Sequence, residues 1–171
     1  MSITANATQA APAWINVFWG GLLIALGDMT FATCVWFSWS AAGLTRLFQT
    51  IAVGVLGKAS LDGGVPAALL GAALHLFIAT MFVLVYTLVA QRVPRLLRRP
   101  IVLGMAYGVL LYLIMNFVVL PLSRVHASPS LAHPYWIGFS VLAHMVFGIV
   151  CVLFARRALR YAQPAGAVRS A

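Results

Sequence analysis

PAALLGAALHLFIATMFVLVYTLVA, residues Pro66–Ala90, runs for 25 residues without an Asp, Glu, Lys or Arg. As a helix it would be about 37 Å long, enough to cross a hydrocarbon core about 30 Å thick. Lipid offers no partner to a bare backbone, so a span of this kind has to be helical. His75 stands about 14 Å along it from Pro66, near mid-bilayer. The glycine-rich stretch Gly54–Gly64 precedes it and reads as a turn, with Pro66 opening the helix.

Working outward, three more runs reach spanning length, giving spans at about 14–39, 66–90, 101–122 and 135–155. The 171 residues are 63% hydrophobic and only 8% charged, with a mean hydropathy of +1.01. Soluble domains carry about a quarter charged residues, so this composition belongs in a bilayer. The reading is an all-α, four-helix transmembrane bundle forming one membrane domain over 1–171. Aromatic residues mark the interfaces: Trp14 and Trp19 at one end of the first span, Trp36 and Trp39 at the other, and Tyr135 and Trp136 at the start of the fourth. Met1–Pro12 lacks the basic region of a signal peptide, so no cleavage is expected.

Eleven Lys and Arg face only two acids, Asp28 and Asp62. The basic residues lie between apolar runs and not on a soluble face, which excludes nucleic acid as a partner and makes the charge topological. Arg92, Arg95, Arg98 and Arg99 link the second and third spans, and Arg156, Arg157, Arg160 and Arg169 follow the fourth. The other links hold only Arg46, Lys58 and Arg124. Both termini are therefore expected in the cytoplasm, and a bacterial inner membrane is the expected location.

In the long first link, Leu44, Leu47, Phe48, Ile51 and Val55 recur at helical spacing, with Arg46, Gln49 and Thr50 on the other side. The segment at about 44–57 is expected to be an amphipathic helix on the outer surface, or one that re-enters it. The third link, Ser123–Pro134, has no helical period, and its His126 and His133 are read as solvated. Cys34 and Cys151 fall at helical depths about 16 Å apart, too far for a disulfide, and read as small packing residues.

Four polar residues, one per span, converge on the outer half of the bilayer. His75 and His144 each lie nine residues inside the outer end of their helix, about 14 Å deep. Asp28 falls about 12–16 Å below the same surface, and Asn116 about 8 Å. Small residues share each face: Gly71, Ala72 and Ala79 with His75, Ser140, Gly148 and Cys151 with His144, Gly21, Ala25 and Ala32 with Asp28. Asn116 continues the row Gly104, Gly108, Tyr112, which holds a GxxxG pattern. Such faces pack helix against helix, and ionisable residues on them mark working sites.

Three chemistries suit a cluster of Asp28, His75, Asn116 and His144. Asp28 and the histidines would relay protons or hold a cation, making the chain an accessory subunit or a small proton- or cation-handling protein. Alternatively, His75 and His144 would bind haem b as axial ligands, or serve a quinone, in a membrane redox subunit. As a third reading, Asp28, His75 and His144 would ligate Zn²⁺ or Cu²⁺. No nucleophile–base pair, Walker loop, HExxH or CxxC appears, so an enzyme is not expected. A homo-oligomer or a larger membrane complex would supply any pathway that one small bundle lacks.

The motifs Phe48–Ala59 (FQTIAVGVLGKA), Gly63-Gly64, Gly71…His75 and Met115–Ser123 (MNFVVLPLS), followed by the His144 span, resemble a widespread family of small bacterial inner-membrane proteins with four spans, distantly similar to YagU-like proteins. The resemblance covers the chain from the first link to the fourth span. It implies fold and location only, and leaves Asp28 outside its motifs.

Overall fold

The computed structural model describes residues 13–35, 41–126 and 134–160. They are helical with no strand among them: α1 (Trp14–Val35), α2 (Ala41–Leu56), α3 (Gly64–Arg92), α4 (Pro100–Ile114), α5 (Leu120–Leu122) and α6 (Pro134–Arg160). Four helical stretches are long and apolar enough to cross a membrane: Trp14–Cys34, Gly64–Arg92, Pro100–Leu122 and Tyr135–Arg160. The last runs a turn beyond the expected Ala155. The chain is thus an all-α bundle with the composition and helix lengths of a multi-pass membrane protein. Trp36, Trp39 and His133 lie outside the described residues.

Local chemistry explains the breaks. Gly57 and Gly64 have φ of 72° and 58°, a region that favours glycine, and they bracket a short 3₁₀ turn, Lys58–Asp62. Pro66 then falls in the first turn of α3, where its missing N–H is not needed. At the other end, α3 stops before Val93-Pro94 because a residue preceding proline avoids helical angles. The third span widens into a π-helical turn over Met115–Val119. Pro121 lies just beyond and cannot donate to a preceding carbonyl, so the helix changes register ahead of it.

Glycines set how closely the helices meet. A Cβ on Gly104 would lie 2.5 Å from Ile149 Cα, and one on Gly108 would lie 2.5 Å from Met145 Cα and closer still to the His144 carbonyl. Gly148 meets Gly104 and Gly108 from the opposite side. The α4 and α6 backbones are therefore in direct contact, as a GxxxG face allows. Gly21 of α1 abuts the Thr80 backbone of α3, and Gly71 of α3 abuts the Phe48 carbonyl of α2. The shared core sets the small residues Ala25, Ala79, Ala90, Cys151, Ala155 and Ala158 among larger ones such as Ile24, Tyr86 and Leu111. Large apolar side chains such as Leu69, Phe77, Val85 and Leu142 point outward. That distribution would aggregate in water and suits a surrounding of lipid.

Two expectations need correction. On α2, Leu47 is buried and Arg46 and Thr50 are exposed as the periodicity predicts, but Gln49 is buried and Val55 is exposed against it. Hydrogen bonds turn the helix: Gln49 Nε2 donates to Gly64 O at 3.1 Å, and Ser60 Oγ donates to Gln49 O at 2.9 Å. A side-chain amide with the Gly64 carbonyl as its partner is better satisfied inside than a periodicity argument allows. Cys34 is exposed and only Cys151 is buried; both thiols are free.

Candidate functional site: the Asp28–His75 pair

The site is built where α1 crosses α3. Gly21 and Ala25 bring the α1 backbone close to α3, and one turn further along, Asp28 faces the same helix. On α3, Gly71 is covered by α2, and His75, the next residue on that face, meets α1. His75 Nε2 lies 3.3 Å from Ala25 O and 3.6 Å from Asp28 Oδ2. The Ala25 carbonyl can only accept, so a hydrogen bond to it places a proton on Nε2. The His75 side chain is 14% exposed and that of Asp28 31%, so the carboxylate keeps an open side while the imidazole is enclosed.

His144 approaches from α6. Its Nδ1 donates to Ser140 O at 2.8 Å, which leaves Nε2 as the ring's lone-pair nitrogen when neutral. Tyr112 meets the ring edge-on at 5.4 Å between centroids, and Phe147 lies 5.9 Å away. Phe147 is also the neighbour that a Cβ on Gly27 would touch, at 3.5 Å, so the aromatic packing of His144 extends to the residue beside Asp28. His75 thus meets the carboxylate directly, whereas His144 reaches its neighbourhood only through Phe147, which packs beside Gly27.

Asn116 does not join them directly. It sits in the π-helical turn and donates from Nδ2 to Tyr112 O at 2.9 Å, on its own helix. The amide shares that carbonyl with the backbone N–H of Met115. Its link to the site runs through Tyr112, whose ring packs on His144. Among the described residues no group of three His, Cys, Asp or Glu side chains is placed to hold a metal ion.

Two partners escaped the sequence reading. Ala25 contributes a backbone carbonyl, which no residue type announces. Phe147 looks like any apolar helix residue until α1 is seen against it. A further pair, Tyr86 and Tyr107, stacks edge-on at 4.8 Å and bonds to Leu96 O and Phe82 O, tying α3 and α4 together away from the site. Comparison with protein-family models, curated proteins and solved structures found no significant match.

Proposed function

We propose that the chain is a small proton- or cation-handling protein of the bacterial inner membrane, with both termini in the cytoplasm, working as a homo-oligomer or as an accessory subunit of a larger membrane complex. One observation carries the reading: a carboxylate and an imidazole from different helices, 3.6 Å apart, inside helices built to lie in lipid. An ionisable pair in such a setting is costly to maintain and is characteristic of proton and ion pathways. The proton is the better cargo, because an Nε2–H bonded to Ala25 O leaves no lone pair on that nitrogen for a metal. Asp28, more open than His75, is the group that would exchange with a path outside the bundle, and His75 and His144 would balance its charge.

A second reading rests on His144. An imidazole held by Nδ1–H to a carbonyl presents Nε2 outward, the usual posture of a ligating histidine. This suits a redox subunit binding haem b or a quinone through His75 and His144, and a Soret band in the purified protein would favour it.

The test of the leading reading is proton uptake by vesicles containing the full chain, driven by a potassium diffusion potential and read by an internal pH dye. Uptake above protein-free vesicles is expected, falling tenfold or more in Asp28→Asn and in His75→Leu. Equal uptake in the parent chain, both variants and empty vesicles would reject it.

A further inference from the structure

The end of the bundle away from the Asp28–His75 pair carries a concentration of positive charge that no carboxylate among the described residues balances. Arg92 closes α3, Arg95 lies in the 3₁₀ turn Pro94–Leu97, and Arg98 and Arg99 precede α4; all four are exposed. Arg156, Arg157 and Arg160 join them from the last turns of α6. The two groups share one end because Leu96 and Leu97 pack into the same core as Ala158 and Leu159. The start of α1 is there too, through Ala13 N donating to Ala158 O at 3.0 Å, and it brings exposed Trp14 and Trp19 with it.

Three features set this end apart from a solvated charge run. No carboxylate among the described residues pairs with these arginines; one of the chain's two acids is Asp28 inside α1, and the other, Asp62, lies in the turn before α3, at the opposite end. All the basic side chains here are arginine, while the single lysine, Lys58, is at the far end. Guanidinium presents a planar fork that matches phosphate oxygens two at a time, which ammonium cannot. The backbone that carries Arg95, Arg98 and Arg99 is also held in place. Tyr86 Oη donates to Leu96 O at 2.8 Å, Arg98 N donates to Arg95 O at 3.1 Å, and Pro94 and Pro100 bound the segment. Exposed tryptophans at the same level locate it at the headgroup layer.

We infer that this end is a binding surface for anionic phospholipid headgroups, with Arg95, Arg98 and Arg99 as its fixed centre and the α6 arginines as its flank. Clusters of basic residues just outside a span attract anionic lipids in this way. The inference is independent of any role for Asp28 and His75.

The full chain is purified in neutral detergent, offered phosphatidylglycerol or phosphatidylcholine at equal concentration, and the lipid retained is counted by native mass spectrometry. Phosphatidylglycerol is expected to be retained at least tenfold over phosphatidylcholine. R95Q/R98Q/R99Q should lose most of that preference, whereas K58Q at the opposite end should keep it. Equal retention of the two lipids by the parent chain would overturn the proposal, and that comparison stands whether or not the triple variant assembles. Full retention of phosphatidylglycerol by an assembled triple variant would also overturn it. Release of the lipid by inorganic phosphate, but not by chloride at the same ionic strength, would overturn it in favour of a soluble phosphate ligand.

Discussion

Gly108→Leu is expected to prevent the bundle from assembling. A Cβ alone at this position would enter the backbone of α6 at His144 and Met145, with Met145 Cα only 2.5 Å away. No rotamer relieves a clash that begins at Cβ, so α4 and α6 must separate along the face on which Gly104 and Gly148 also meet. Overpacking a close-packed interior costs about 1–3 kcal/mol and sometimes more. Gly108→Ala should sit in that range, and leucine should exceed it. In lipid the lost contact is not offset by hydrophobic burial elsewhere, because apolar side chains are equally content facing the acyl chains. Gly138 provides the contrast. Nothing lies within 4 Å of a Cβ built there, and it is an exposed residue of α6. Gly138→Ala should therefore be neutral or stabilising by up to about 1 kcal/mol, from helix propensity alone. Unfolding of both variants by increasing SDS in mixed micelles measures the difference. Equal midpoints for Gly108→Ala and Gly138→Ala would show that the α4–α6 contact is looser than described.

The second large effect concerns the polar pair. His75→Leu leaves Asp28 without its imidazole inside α1, and Asp28→Asn leaves His75 with only the Ala25 carbonyl. Removing one member of a buried pair costs more than removing both, since the survivor is stranded. The stranded carboxylate can take a proton and limit its own cost, so His75→Leu is expected to lose about 2 kcal/mol. The double variant, Asp28→Asn with His75→Leu, should be more stable than the sum of the singles implies, by a coupling of about 1–3 kcal/mol. The same SDS titration reads all four proteins. A coupling near zero would mean that the two side chains ignore one another.

Much of this was legible beforehand, for a physical reason. Helical rise converts residue number into depth, so His75 and Asp28 could be placed at one level from span limits alone, and they lie 3.6 Å apart. The small residues on their faces showed which sides would meet. The GxxxG row of α4 indicated close packing in the same way, and Gly104 and Gly108 do carry it. What spacing could not show was any partner supplied by the backbone. Ala25 O completes the surroundings of His75 Nε2, Ser140 O orients His144, and Tyr112 O takes the amide of Asn116 back onto its own helix. On α2, the position of Gln49 departs from the periodicity for a related reason. Periodicity treats glutamine as a surface residue, but Gln49 is drawn inward by the Gly64 carbonyl at the start of α3. The π-helical turn ahead of Pro121 likewise shifts Asn116 relative to an ideal helix, and an estimate from regular rise cannot register that shift.

The account rests on Asp28 facing His75 Nε2 within the membrane, and ¹⁵N solid-state NMR of histidine-labelled protein in lipid bilayers tests it most directly. His75 is expected to carry its proton on Nε2 and His144 on Nδ1, with the His75 Nε2 resonance moving on Asp28→Asn and the His144 Nδ1 resonance holding its position. A His75 protonated on Nδ1 alone, with signals indifferent to Asp28→Asn, would contradict the pair.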